Sequence, residues 1–166
     1  MASITQRIIN CLWFDSAAEE AAALYTSIFK NSRIGTITRF GKEGFEFHHK
    51  PEGSVMTVNF FLDGQEFTAL NGGPQFKFNE AVSLIINCEN QEEIDHYWNK
   101  LTANGGEEGP CGWLKDKFGL SWQVVPVEWI AMTNDPDKEK VKRVMNAMFQ
   151  MKKFDLAALR KAFNGE

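Results

Sequence analysis

One module is written twice in this sequence. The first copy, Ile8-Ile9-Asn10-Cys11-Leu12-Trp13-Phe14-Asp15, runs into a helical stretch that ends near Phe29. The second, Ala81-Val82-Ser83-Leu84-Ile85-Ile86-Asn87-Cys88, runs into one that ends near Leu101. Each copy joins a strand-like run to an amphipathic helix. Strand side chains alternate between two faces, and a helix covers only one of them. Two such modules side by side can enclose a cavity, so the function of the chain turns on what lines it.

Each module continues with further strands. Leu12 and Phe14 are expected to face a helix layer, with Cys11 and Trp13 on the opposite side. Asp15 or Ser16 is the expected helix cap, with Glu19 in the first turn, and Ala17, Ala21, Leu24 and Ile28 recur at helical spacing. Strands are predicted over 33–40, with Ile34 and Ile37 in the core, over 55–61 and over 66–70. Asp63-Gly64 joins the last two as a hairpin, and the Gly-rich and charged run 41–53 reads as a loop or an irregular edge. In the second module Asn90 caps a helix bearing Ile94, Tyr97, Trp98 and Leu101 on one face. Trp113-Leu114 and 120–125 are its later strands, joined by a turn at Asp116-Lys117-Phe118-Gly119. The tail reads as helices from about Pro136, capped by Thr133, Asn134 or Asp135, with Val141, Val144, Met145 and Met148 in one stripe and Leu156, Leu159 and Phe163 in another. The resulting organisation is a two-module domain over 1–132, divided into about 4–74 and 75–132, followed by a helical extension over 133–166.

Composition narrows the function. A chain of 166 residues with 43% hydrophobic residues, 14 Phe and 5 Trp can build a large aromatic core. At this size roughly 70% of the unfolded-chain surface becomes buried. The formal charge is −4, from 18 basic and 22 acidic residues, and the basic ones do not form a stripe, which argues against nucleic acid. No apolar run is long enough to span a bilayer and no export signal is evident, so the expectation is a cytoplasmic protein without membrane contact. Cys11, Cys88 and Cys111 have neither redox-pair nor zinc-knuckle spacing.

Several chemistries lack their motifs. There is no dinucleotide fingerprint and no phosphate loop. His48 and His49 are adjacent, so on a strand they would point to opposite faces, and His96 stands far away. No short-range His, Cys and Glu spacing matches a metal site. No serine sits in a nucleophile elbow, and neither Cys11 nor Cys111 has an evident base beside it. The residues left to line a cavity are Cys11 and Trp13 of the first strand, Asn59, Ala69 and Asn71 of the hairpin, and Ser83, Trp113, Ser121 and Gln123 of the second module. They combine aromatic surface with uncharged hydrogen-bonding groups, the mixture of a small-molecule pocket.

The segments Cys11-Leu12-Trp13-Phe14-Asp15 with Glu19-Glu20 and Tyr25, Phe67-Thr68-Ala69-Leu70-Asn71-Gly72-Gly73-Pro74, Phe76-Lys77-Phe78-Asn79-Glu80, and Gly112-Trp113-Leu114-Lys115-Asp116-Lys117-Phe118-Gly119 through Val125-Pro126 together resemble the PhnB-like family. This family belongs to the glyoxalase/bleomycin-resistance/extradiol-dioxygenase, or vicinal oxygen chelate, superfamily. The resemblance covers roughly residues 4 to 127. It implies an α+β fold of paired βαβββ modules forming an incomplete eight-stranded barrel around a cavity, here with carboxy-terminal helices, and a homodimer. Family members often bear the name 3-demethylubiquinone-9 3-methyltransferase, yet nothing in the sequence resembles the glycine-rich loop that binds S-adenosylmethionine in doubly wound methyltransferases. Metal-dependent relatives carry His or Glu at positions that correspond roughly to Ile9, Phe67, Ala81 and Gln123, and these side chains make a poor ligand set.

The first expectation is therefore a homodimeric small-molecule-binding protein with no cofactor and no metal-dependent activity. An enzyme acting on a small, quinone-like substrate is the alternative. A third possibility is an interaction protein that uses its carboxy-terminal helices.

Overall fold

The computed structural model describes residues 6–166. They form two compact units, one ending at Lys77 and the other running from Phe78 to Glu166.

The first unit consists of β1 (Asn10–Phe14), α1 (Ala18–Ile28), β2 (Arg33–Arg39), a short helix α2 (Phe45–His48), β3 (Val55–Leu62) and β4 (Gln65–Asn71). Its mixed sheet has the order β1-β4-β3-β2, with β1 parallel to β4 and the other pairs antiparallel. Helix α1 buries Ala18, Ala21, Ala22, Tyr25 and Ile28. Leu12, Phe14, Val58, Phe60, Leu62, Phe67 and Ala69 complete this core. The rings of Phe60 and Phe67 stack at 5.4 Å. Small alanines let the helix approach the sheet while these aromatics fill the layer between them. The hairpin forms where expected, because Asp63 and Gly64 both adopt positive φ, 46° and 78°, as a two-residue turn matched to strand twist requires. Ile34 departs from expectation. It is exposed on the edge strand β2, which has a neighbour on one side only, and the chain between β2 and β3 includes the one-turn helix α2 as well as loop.

The cap of α1 also differs. Neither Asp15 nor Ser16 caps it, since the N-cap position is Ala17 and has no side-chain bond. Asn71, at the end of β4, accepts the Ala18 amide at 2.9 Å and donates to the Val55 carbonyl at 3.0 Å. One buried amide thus ties the helix start to the last strand and to the start of β3.

The second unit repeats the module as β5 (Ser83–Cys88), α3 (Gln91–Thr102), β6 (Glu107–Glu108), β7 (Trp113–Lys115) and β8 (Ser121–Pro126), then adds α4 (Val127–Thr133), α5 (Lys138–Met148) and α6 (Leu156–Asn164). The sheet order is β5-β8-β7-β6, again with one parallel pair, β5 with β8. The eight strands therefore belong to two four-stranded mixed sheets, neither closed on itself. Asn90 caps α3 by accepting the Glu93 amide, and Ile94, Trp98 and Leu101 are buried.

Asp116 organises the β7–β8 turn. It is 2% exposed, and its carboxylate accepts from the Phe118 and Leu120 amides and from Trp122 Nε1, at 2.9, 3.1 and 2.8 Å. A carboxylate out of water needs such donors, and here they lock the turn and the core indole together.

In the second unit two further elements lie outside those read from the residues. Strand β6 is only two residues long, too short for any alternation to reveal it. Helix α4 starts directly after Pro126 and is exposed along much of its length. Helix α5 begins two residues later than expected, capped by Asp137, which accepts the Glu139 and Lys140 amides. The carboxy-terminal helices dock on their own unit. Gln91 on α3 donates to the Phe154 carbonyl and accepts the Leu156 amide, while Cys111 and Gly112 donate to the carbonyls of Met151 and Lys152. Gly112 has φ 82°, and a Cβ there would lie 2.5 Å from the Phe154 ring, so only glycine permits this contact.

Asn71→Ala should lower unfolding stability by about 2 kcal/mol, the cost of a lost cap and a stranded buried partner. Asp15→Ala should change it by less than about 0.5 kcal/mol, as expected at an exposed site that makes no cap. Urea denaturation of the two variants checks this ordering.

Candidate functional site

Core packing identifies the free face of each sheet. In the second unit Ile86, Cys88, Leu114, Trp122 and Val124 are buried. By alternation, Ser83, Ile85, Trp113, Lys115, Ser121 and Gln123 present the opposite face. The register sets Ser83 beside Ser121, Ser121 beside Lys115 and Lys115 beside Glu107, so one row crosses all four strands. A neighbouring row places Ile85, Gln123 and Trp113 side by side. The Gln123 amide donates to Ser83 Oγ at 2.8 Å, which joins the rows diagonally.

A cavity of about 450 Å³ opens here, bounded by Glu80, Glu107, Pro110, Trp113, Lys115 and Ser121 among others. Its volume lies within the range of small-molecule pockets. Lys115 forms an ion pair with Glu80, which lies in the segment before β5. The hydrogen bond from Lys115 holds the Glu80 carboxyl below its ordinary value, and the same bond raises the Lys115 ammonium above its own. Ser121 is 1% exposed, and its Oγ has no hydrogen-bond partner among the described residues.

In the first unit Cys11, Trp13 and Asn59 lie on the face away from α1, as expected, but Ala69 and Asn71 do not. Asn59 pairs with Thr68, so Ala69, paired with Val58, must face the opposite way, and Asn71 follows it. Both are buried under α1, Ala69 as core and Asn71 as its cap. The expected grouping of Asn59, Ala69 and Asn71 on one side is therefore corrected by strand parity. Trp13 Nε1 donates to the Gly73 carbonyl at 2.8 Å, and its ring meets Phe76 edge-on at 4.9 Å. A Cβ at Gly72 would fall 2.2 Å from that ring. Asn59 donates to Glu66 Oε1 at 2.6 Å.

Lys115, Glu107 and Glu80 were not among the sequence candidates. Lys115 was within reach, being two residues from Trp113 on the same strand and therefore on the same face. Nothing local connects Glu80 to that face.

The donor chemistry does not fit a metal centre. Ile9 offers an exposed alkyl group, Phe67 is buried against Phe60, Ala81 has no donor, and Gln123 brings a neutral amide already bonded to Ser83. Among the described residues no group of three or more His, Cys, Asp or Glu side chains is placed to hold an ion. Neither do the starts of the two module helices, α1 and α3, fit the carboxylate of S-adenosylmethionine. The Ala18 amide is taken by Asn71 and the Glu93 amide by Asn90, and each first turn carries two glutamates. Burial pushes the Cys88 thiol up to about 12, with Glu93 adding to the rise, and desolvation also raises Cys11. Both sulfurs are thereby shifted away from the nucleophilic thiolate.

The family model of 3-demethylubiquinone-9 3-methyltransferase matches residues 6–125. The chain belongs to that family. Among solved structures, this PhnB-like chain is similar to the PhnB protein of Bacillus cereus, at 37% identity over 73% of this chain and 99% of that one, with a TM-score of 0.63. It shares its fold with a Pseudomonas aeruginosa protein at 18% identity, over 74% of this chain and 98% of that one, TM-score 0.58. It also shares it with the fosfomycin resistance protein FosX of Listeria monocytogenes complexed with Mn(II) and sulfate, at 14% identity, over 75% of this chain and 91% of that one, TM-score 0.50. No curated protein matches the sequence. As a PhnB-like member of the glyoxalase superfamily with an open cavity, the protein has the capacity to bind a small molecule. No helix among the described residues is long and apolar enough to cross a membrane.

The ion pair predicts a pH window. Glu80 titrates below its ordinary 4.5 and Lys115 above its ordinary 10.5. The pair's contribution is full between those ordinary values. It fades as pH falls through the depressed Glu80 value or rises through the elevated Lys115 value. Melting temperatures of the wild type and Glu80→Gln should differ by a constant amount inside the window and converge outside it.

Proposed function

We propose that this PhnB-like protein is an enzyme acting on a small, quinone-like ring held against the free face of β7 and β8. The observation that carries the reading is the pairing of Trp113 with Gln123, with Ser83 bonded to the Gln123 amide. The indole supplies a flat apolar surface. Ser83 accepts from Gln123, which leaves its own proton for a ring oxygen, and the Gln123 carbonyl can receive a ring hydroxyl. The family description, drawn from a reaction on a quinone ring, agrees with such a ligand. Because the starts of α1 and α3 do not fit S-adenosylmethionine, the reading concerns the substrate and assigns no methyl donor.

Binding without turnover is the second reading, and two of the thiols favour it, since burial raises Cys88 and partial desolvation raises the exposed Cys11. We further propose that the protein works as a homodimer in the cytoplasm. Ile85 on the edge strand β5 and Val82 just before it are exposed apolar side chains, and the three free cysteines suit a reducing compartment. Sedimentation at micromolar concentration should show twice the chain mass, and a monomer there would end that part of the proposal.

Titration calorimetry with a 1,4-naphthoquinone should give saturable binding. Gln123→Leu should weaken it roughly tenfold, the equivalent of about 1.4 kcal/mol, and Trp113→Ala should weaken it at least as much. Absence of binding to the wild type overturns the reading. Mass spectrometry of the ligand after incubation in cell extract, with and without the protein, separates an enzyme from a binder.

A further inference from the structure

We infer that Lys115 and Ser121 form an oxyanion subsite which Glu80 occupies from within the chain, and that the ligand is a singly ionised hydroxyquinone whose O⁻ replaces the Glu80 carboxylate. This rests on the quinone-like reading above and adds the charge state of the ligand and the residues that select it.

Three observations lead here. Ser121 and Lys115 are register partners on adjacent strands, and both line the same cavity. Ser121 is almost wholly buried, yet its hydroxyl has no protein partner among the described residues. A buried hydroxyl left unpaired is costly, so a ligand oxygen that accepts its proton recovers that cost. The Lys115 ammonium is closed by a carboxylate that is easily withdrawn, because Glu80 is exposed, with 60% of its side chain in solvent, and lies outside any strand or helix.

The pairing is an exchange. In the free protein Lys115 has Glu80 on one side and Glu107 as its neighbour on β6. An arriving oxyanion takes the place of Glu80, which swings into water, where a carboxylate is well solvated. The ion pair at Lys115 is replaced and not lost. A neutral ligand gains nothing from this exchange, because it would leave Lys115 unpaired or compete poorly with Glu80. Glu107 remains in place and disfavours a second negative charge on the ligand. A hydroxyquinone meets these demands. Its hydroxyl is a vinylogous acid, ionised at neutral pH, and its ring remains flat enough to lie on Trp113.

The test compares 2-hydroxy-1,4-naphthoquinone, an anion at pH 7, with 2-methoxy-1,4-naphthoquinone, which is neutral and nearly the same shape. Calorimetry at low salt should show the wild type preferring the anion by at least about tenfold. Glu80→Gln should tighten the anion several-fold and the neutral ligand by less. Lys115→Met should abolish the preference, Lys115→Arg should keep most of it, and Ser121→Ala should weaken the anion. Thermal melts identify any variant that fails to fold, and the wild-type comparison stands without the variants. Equal affinity for the two ligands, or a preference that survives Lys115→Met, overturns the oxyanion subsite while leaving the quinone-like reading intact. Failure of both ligands to bind overturns that reading as well.

Discussion

Each sheet carries its module helix on one face, and a strand can give that helix only every second side chain. In the first unit this commits Leu12, Phe14, Val58, Phe60, Phe67 and Ala69 to the core, and in the second Ile86, Cys88, Leu114, Trp122 and Val124. The remaining residues are displayed on the other face whatever their chemistry. A functional surface built this way costs the core nothing, because substitution on one face leaves the packing of the other in place.

Two buried polar side chains hold this arrangement in register. Asn71 replaces a local helix cap and joins α1 to β3 and β4. Asp116 gathers two turn amides and the Trp122 indole, which fixes the turn that aligns β7 with β8. That alignment sets Ser121 beside Lys115 and Gln123 beside Trp113. The candidate site is thus positioned by a carboxylate that never faces it, and tight placement of this kind is what recognition of a small ring requires.

The face it displays is mixed in character. Gln123, Ser83 and Trp113 are neutral, while the adjoining row carries Glu107 and Lys115, with Glu80 closing over the latter. Charge therefore sits at the β6–β7 end of the sheet and neutral hydrogen bonding at the β5–β8 end.

Much of this was legible in the sequence. The repeat located both β-α units, the alternation around Leu12 and Phe14 gave the correct faces of β1, and Asp63-Gly64 marked the hairpin. That hairpin also contained the answer for Ala69 and Asn71, since a two-residue turn places Asn59 opposite Thr68 and turns Ala69 away from it. What local pattern could not supply were the bonds between residues distant in the chain: Asn71 with Ala18, Gln91 with Phe154 and Leu156, and Gln123 with Ser83. Glu80 and Lys115 meet in the same way, through folding alone. Periodicity records which residues share a face because adjacent dihedrals repeat along one strand. Which polar groups meet across strands depends on register and on the path of loops, and these exist only once the sheet has formed.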